Sequence, residues 1–340
     1  MAKPLIRVIG SIHLDFVTTT PKCPSAGETL QATRFDINAG GKGANQAAAC
    51  GRASFLSQNE QDIDVEMLGA VGKDDPYYAS LLQPALHDSG VKTDLIAQIA
   101  GTTTGSATII VDEGAGGENR ILFVPGAGFK GMDNVKEILS RGMDQGRQPD
   151  VVVLQGEIPR DSVLALVEQY NASGGTEVVF NPAPVWPQGI PARTLKSLSA
   201  LIVNENECSL LVKSMVAEGY QIHNVDKQED LDEDTLRKVA HEFHTLLHVT
   251  TMIITLGSRG VFWSQSNGKS ALVNATKVET VVDTTAAGDT FVGYFTAELA
   301  RSRARGVEFD VPTACGKAAI AAAKCVTRAG AMQSIPYGYE

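Results

Sequence analysis

Short apolar runs alternate with longer amphipathic or alanine-rich stretches along this chain. Leu5-Ile6-Arg7-Val8-Ile9-Gly10 reads as a buried strand that ends in a glycine turn. Val65–Val71, Val151–Leu154, Val178–Phe180, Ala200–Val203 and Met252–Leu256 read the same way. The stretches between them predict helices over Gly43–Arg52, Pro76–Ser89, Asp161–Tyr170, Glu205–Val216 and Thr235–Leu247. Two more helices are expected near Asp289–Arg303 and Val311–Val326, where alanine and glycine suit close packing. Continuous apolar strands separated by helices imply a parallel sheet covered on both faces. The expected class is α/β: a three-layer α/β/α sandwich around a central, mostly parallel sheet.

Two regions break the rhythm. Phe16–Asn38 alternates β-branched and polar residues around Pro21, Pro24 and Gly27. Thr103–Val111 and Arg120–Val124 form a second alternating pair around the glycine-rich turn Asp112–Asn119. Both predict antiparallel hairpins outside the main sheet, together a small β lid from about 16–38 and 103–124. Ser57–Asp64 and Gly219–Asp234 read as surface insertions. The second carries Asp226, Glu229, Asp230, Asp232, Glu233 and Asp234, a run expected to be a solvated loop. No internal repeat or separating linker is visible, so residues 1–340 are expected to form one unit.

Composition narrows the function. Hydrophobic residues make up 43% and charged ones 20%, an ordinary globular balance. No apolar run approaches the roughly 20 residues of a membrane span. Lys+Arg total 29 against 39 Asp+Glu, a net charge of -10 that argues against nucleic-acid partners and anionic membranes. The five cysteines, Cys23, Cys50, Cys208, Cys315 and Cys325, are odd in number and show no CxxC spacing, as expected in a reducing compartment. Lys3 and Arg7 are the only basic residues near the start, and Leu5–Ile9 is too short for a signal-peptide core. A cytoplasmic location is expected, with access to the nucleus left open.

Three segments could carry chemistry. Asp283-Thr284-Thr285-Ala286-Ala287-Gly288-Asp289-Thr290-Phe291 runs from small residues into a helix. Backbone N–H groups and the dipole at such a start favour negative charge, as a phosphoryl group in transit requires. Asp289 on the first turn could accept a proton from a substrate hydroxyl; the competing reading is an ordinary capped helix. Asn38-Ala39-Gly40-Gly41-Lys42-Gly43-Ala44-Asn45-Gln46 lacks the GxxxxGK[ST] order of a P-loop. Its glycines permit close approach of a ligand, and Lys42 and Asn45 could bind hydroxyls; otherwise it is a turn before a helix. Thr255-Leu256-Gly257-Ser258-Arg259-Gly260-Val261 follows a buried strand, where open α/β sheets place ligands, although it also fits a hairpin turn.

In combination these segments resemble the ribokinase, or PfkB, family of sugar kinases over nearly the full chain. Gly10-Ser11-Ile12 with Asp15 resembles its first sugar-binding turn. Gly40–Ala47 and Asp283–Phe291 are similar to its two signatures. Gln155-Gly156-Glu157, Asn181-Pro182-Ala183-Pro184, Asn204-Glu205-Asn206-Glu207 and Thr255–Gly260 fall between them in the family's order. The resemblance implies ATP-dependent phosphorylation of a sugar's primary hydroxyl, that of D-ribose at O5. It makes Asp289 the base and Ala286, Ala287 and Gly288 the anion hole. His13, Asp15, Gly41, Lys42, Asn45 and Glu157 match the sugar site; the family often carries Asn where this chain has the bulkier His13. Asn204, Thr255, Leu256, Gly257, Ser258, Arg259, Gly260 and Gly288 match the nucleotide site, and Glu207 a position that holds Mg²⁺ through water. Asp283, Thr285, Cys325, Arg328, Gly330 and Ser334 match a K⁺ site built mostly of carbonyls. A homodimer through the lid is also implied. Other acceptors (a nucleoside, deoxyribose or a hexose) and a catalytically silent sugar-binding regulator are the alternatives.

Two further patterns compete. Gly126-Ala127-Gly128-Phe129-Lys130-Gly131 fits G-x-G-x-x-G, with a strand-like stretch before it and a helix-like Met132–Leu139 after it. Pro125 and the long spacing to Glu157 argue against NAD or flavin; in the kinase reading this turn ends the lid hairpin near the sugar. His241, His244 and His248 share a helix face that could bind zinc, but a packed face is the simpler reading.

Overall fold

The computed structural model describes residues 2–143, 146–223 and 231–340. Its main sheet has the spatial order 270–273, 261–265, 251–255, 200–204, 177–180, 151–154, 5–9, 64–72, with Val91–Lys92 and Ile96–Ile99 both pairing with the last of these. Pairing is parallel from Thr251–Thr255 across to those edge strands. The two strands at the other edge add an antiparallel meander. Each central strand is apolar on both faces: Leu5–Ile9 and Val151–Leu154 are buried throughout. Two hydrophobic clusters, one per face, use alternate residues of the same strands: Val151 and Val153 on one side, Val152 and Leu154 on the other.

The helices Lys42–Ala53, Ala287–Arg305 and Val311–Cys325 supply one face. Arg160–Ser173, Glu205–Ala217 and Glu233–Leu247 supply the other. The expected helix over Pro76–Ser89 forms without a break to Asp88, with a π-helical turn at Tyr78–Leu82 ahead of the α-helical Gln83–Asp88, which has Pro84 in its first turn. The missing N–H of proline removes the bond that would have continued an α ladder.

A separate four-stranded sheet forms the lid, in the order 118–124, 105–112, 13–20, 34–40. Its outer pairs are the expected antiparallel hairpins, but they join through a parallel pairing of His13–Thr20 with Gly105–Asp112. The lid strands also begin at His13 and end at Gly40, wider than 16–38. His13 and Asp15 therefore lie on a lid strand rather than in a turn. The sequence shows the alternation but not the parallel register, which pairs residues 92 positions apart.

The acidic run is not simply a loop. Asp226, Glu229 and Asp230 lie outside the described residues. Asp232 caps the Glu233–Leu247 helix by accepting from Thr235 N–H at 2.8 Å, and Glu233 and Asp234 fill its first turn. His244, which is buried, uses both ring nitrogens, on the Val249 carbonyl and Ser264 Oγ, as the packing reading requires. No helix among the described residues is long and apolar enough to cross a membrane.

Candidate active site

Five neighbouring parallel strands deliver polar side chains at their carboxyl ends. Ser11 follows Leu5–Ile9, Gln155 and Glu157 follow Val151–Leu154, and Asn181 follows Glu177–Phe180. Asn204 and Thr255 end the next two strands and are register partners. This edge is where open α/β sheets bind ligands.

Asp289 sits above it on the first turn of Ala287–Arg305, only 7% exposed. No side chain caps this helix, and Ala286 at its N-cap is left-handed, φ 61°. Asp289 occupies the third helical position, where a capping-box acid would reach back to the N-cap. Its carboxylate instead accepts from Asn45 Nδ2 at 3.1 Å and Gln46 Nε2 at 2.9 Å. The contrast within this chain is direct. Asn204 and Glu207 form a complete capping box, each side chain accepting the other's N–H at 2.8 Å. Asp289 thus has an orientation that capping does not explain, beside a helix end that remains open to an anion.

Burial pushes the Asp289 carboxyl above its usual range, against the pull of the Lys42 ammonium and the two amide donors. Asp289 in turn is the main cause that raises the Lys42 pKa, with Glu157, Glu207 and Asp15 adding to it. One lysine is therefore shared by four carboxylates. Their net negative field suits the hydroxyls of a neutral acceptor, and the raised proton affinity of Asp289 suits it to take a proton from one of them.

The sugar-site candidates converge on the start of the Lys42–Ala53 helix. Glu157 Oε2 accepts from Ser11 Oγ at 2.7 Å and Lys42 N–H at 2.8 Å, and its other neighbour is His13 Nδ1 at 3.8 Å. Gly41 has φ 91°, a conformation that glycine adopts without strain. A Cβ on Gly40 would lie 2.1 Å from Asp15 Oδ2, so the missing side chain is what lets the lid strand close on that carboxylate. Asp15 is pushed up to about 6, first by burial and then by Glu157 and Asp289. Burial holds His13 below its ordinary value, against the pull of Glu157, and so favours the neutral ring. Its Nε2 and Asn45 Oδ1 are buried without a hydrogen-bond partner. Unsatisfied buried polar atoms are costly, and two in one cleft suit a polyhydroxylated ligand.

The nucleotide candidates lie further along the same edge. Thr255 leads into a 3₁₀ turn over Gly257–Arg259, closed by Leu256 N–H to the Gly260 carbonyl at 2.8 Å. The segment is thus also the hairpin turn of the competing reading; both describe the same residues. Arg259 is engaged elsewhere, by Glu205 and the Leu231 carbonyl.

The candidate cation residues also meet. Asp283 accepts from Thr285 N–H at 2.9 Å and Gly330 N–H at 2.9 Å. Cys325 Sγ lies 3.6 Å from the Thr285 carbonyl and 3.0 Å from Ser334 Oγ. Arg328 N–H donates to the Cys325 carbonyl at 3.0 Å. The Asp283 carboxylate, the Thr285 and Cys325 carbonyls and the Ser334 hydroxyl bring oxygens together, the donor type a hard monovalent ion takes, whereas Gly330 and Arg328 meet them through N–H groups. Among the described residues no group of three or more His, Cys, Asp or Glu could hold a metal. Mg²⁺ needs no such cage: one or two carboxylates, waters and substrate phosphates are its usual ligands.

Gln46, Gln155, Asn181 and Ser11 belong to the motifs of the resemblance, but the sequence assigns none of them a role of its own. Gln46 Nε2 is shared between Asp289 and Asn181 Oδ1, 2.9 Å from each, and its Oε1 accepts from Gln155 Nε2 at 2.8 Å. Gln46 follows Asn45 in the same motif, and its zero-exposure environment could not be read from that position. The G-x-G-x-x-G turn falls at the lid instead of a dinucleotide crevice: Gly126 packs on Thr103 and Gly105, and the His13 ring on Gly105.

A buried carboxylate at a helix start without a side-chain cap, beside unpartnered buried polar atoms and a small separate sheet, suits phosphoryl transfer to a small polyhydroxylated acceptor. The chain belongs to the pfkB family of carbohydrate kinases, whose family model matches residues 3–337. It is 37% identical to a ribokinase of Schizosaccharomyces pombe over 97% of this chain and 94% of that one. A ribokinase of Cryptococcus neoformans var. grubii in complex with ADP superposes with a TM-score of 0.75 at 29% identity, covering 98% of both chains. Arabidopsis thaliana ribokinase complexed with ribose and ATP superposes with a TM-score of 0.77 at 27% identity, covering 99% of this chain and 97% of that one. The protein is a carbohydrate kinase that uses ATP.

Proposed function

We propose that this kinase transfers the γ-phosphoryl group of ATP to the primary hydroxyl of D-ribose, O5, giving ribose 5-phosphate. The observation that carries this is the aim of Asp289, turned by Asn45 and Gln46 away from its own helix terminus. In that pose it takes the proton of the attacking hydroxyl. The N–H groups of Ala286 and Gly288 receive charge on the group in transit, together with that of Ala287, which bonds the Thr284 carbonyl at 3.3 Å until the anion arrives. His13, Asp15, Gly41, Lys42, Asn45 and Glu157 hold the sugar, with the orphaned His13 Nε2 and Asn45 Oδ1 accepting hydroxyl protons. Asn204, Thr255–Gly260 and Gly288 line the nucleotide.

Mg²⁺ enters with ATP and offsets phosphate charge; Glu207, fixed by its capping box near Lys42 and Asp289, supports it through water. K⁺ is held by Asp283, Thr285, Cys325, Arg328, Gly330 and Ser334, and steadies the turn that becomes the anion hole. The exposed run Ile121, Leu122, Phe123 and Val124 on the lid's edge strand, 45–67% exposed, is an unprotected edge. A second subunit's lid would cover it. Five free cysteines fit a cytoplasmic enzyme.

The test is ADP release with ATP and Mg²⁺ on a panel of free sugars and nucleosides, each with and without K⁺. Preferred turnover of D-ribose, stimulated by K⁺, is expected. Preferred turnover of another acceptor would overturn the ribose assignment and leave Asp289's role standing.

A further inference from the structure

The segment Cys325–Ile335 touches several parts of the site at once. Gly330 N–H bonds Asp283 Oδ2, where the turn toward the open helix terminus begins. The Ile335 carbonyl accepts from Arg52 Nη1 at 2.5 Å, at the far end of the helix that carries Lys42, Asn45 and Gln46. Gln333 Nε2 donates to Asn38 Oδ1 at 3.0 Å, on the lid strand Arg34–Gly40. The first two contacts tie the segment to the body of the protein. The third ties it to the lid, a separate sheet.

Each end of that third contact leads directly to a functional position. Asn38 is the register partner of Asp15, and Gly40, two residues on, lies against the Asp15 carboxylate. Gln333 precedes Ser334, whose buried hydroxyl meets Cys325 Sγ; that thiol reaches the Thr285 carbonyl in the anion-hole turn. A contiguous path therefore runs Asp15, Asn38, Gln333, Ser334, Cys325, Thr285, from the sugar side to the phosphoryl side.

We propose that Asn38 and Gln333 are positioning residues: their hydrogen bond couples sugar occupancy, through the lid strand, to the Asp283–Gly288 turn, so that the acceptor tightens nucleotide binding. The inference rests on the sugar and phosphoryl sites proposed above. Neither side chain is assigned to substrate. Gln333 is exposed and Asn38 half-buried, so truncating either leaves no core cavity. One hydrogen bond of this kind supports a coupling of roughly two- to tenfold. Linkage requires the effect to be reciprocal, with nucleotide tightening ribose by the same factor.

The test is calorimetric titration of a non-hydrolysable ATP analogue with Mg²⁺, with and without saturating D-ribose. The native protein should bind the analogue several-fold more tightly with ribose. Gln333→Ala and Asn38→Ala should each bring that ratio close to one, and the double variant should lose no more than either single variant. Affinity of the free protein for ribose should change less than twofold. A contact that only stabilises the fold would lower the melting temperature and leave the ratio intact, which would overturn the proposal. So would a native ratio near one, or additive losses in the double variant. Absence of any ribose heat in the native protein would refute the acceptor and the coupling together, an outcome distinct from loss of coupling with ribose binding preserved.

Discussion

Gln46 Nε2 lies 2.9 Å from Asp289 Oδ1, joining residues 243 positions apart in the chain. The same nitrogen reaches Asn181, while the Gln46 carbonyl oxygen is held by Gln155, so the amide cannot turn. A fixed amide donor fixes one oxygen of Asp289, the proposed base, and Asn45 fixes the other. Gln46→Glu tests this at nearly constant shape. A second carboxylate against Asp289 adds like-charge repulsion to burial, so the Asp289 pKa must rise further. Turnover should fall at neutral pH by about tenfold or more, and recover as the pH is raised. The kcat profile against pH measures it: the acidic limb moves to higher pH. An unshifted limb would refute the orientation argued here.

Asp289→Asn removes the base without removing the side chain's bulk. General-base catalysis contributes about 10²- to 10⁴-fold, and the loss should reach the upper part of that range because no other carboxylate is bonded to Asn45 and Gln46 among the described residues. Nucleotide binding, measured by titration with ADP, should stay within about threefold of native. Unlike Gln46→Glu, this variant should show no recovery at high pH.

Much of this arrangement was legible before the structure because the relevant signals are local. The strands Leu5–Ile9 and Val151–Leu154 are uninterrupted apolar runs, and the helix at Ala287 begins in a run of small residues. The glycines at 40, 41 and 43 mark close approach in the sequence itself, and the structure shows what approaches: Asp15, His13 and Ser11. What was not legible depends on pairing at a distance. The parallel seam of the lid joins His13 to Gly105, and the Gln46–Asn181–Gln155 cluster draws on three strand and helix ends. No spacing rule brings these together; the sheet order does.

Asp15 carries a conflict between stability and function. Its carboxyl is raised from the ordinary range near 4 to about 6 by burial and by Glu157 and Asp289. The folded state therefore binds that proton more tightly than the unfolded chain does. Stability from this group is gained as the pH falls from about 6 toward 4, and above about 6 the full cost, up to about 3 kcal/mol, is present. Asp15→Asn should raise the melting temperature at pH 7.5 and leave it nearly unchanged at pH 4. The same change replaces an acceptor with an amide, so the ribose KM should rise by about tenfold or more. In the native enzyme the ribose KM should rise as the pH drops below about 6, and Asp15→Asn should flatten that dependence. A melting temperature lowered at pH 7.5 would show that the carboxylate is stabilising and its assigned field wrong.

The lid edge offers a separable test of assembly. Along Glu118–Val124 successive side chains point to opposite faces. Phe123 points to His13, with ring centroids 4.7 Å apart, so Leu122 points away from the sugar cleft. Leu122 is 67% exposed, more than a single chain gains from leaving a leucine on an unpaired edge strand. Leu122→Asp puts a charge on the outer face only. Sedimentation should show a native dimer and a monomeric variant with unchanged helix and strand content by circular dichroism. Phe123 follows Leu122 on that edge strand and packs on His13, so if the partner's lid steadies the strand the variant's ribose KM should rise several-fold with a smaller change in kcat. Phe123→Ala should raise the same KM in a protein that remains a dimer. Native protein that sediments as a monomer at assay concentration would remove the dimer, and an unchanged KM in Leu122→Asp would show that the lid holds its shape without a partner.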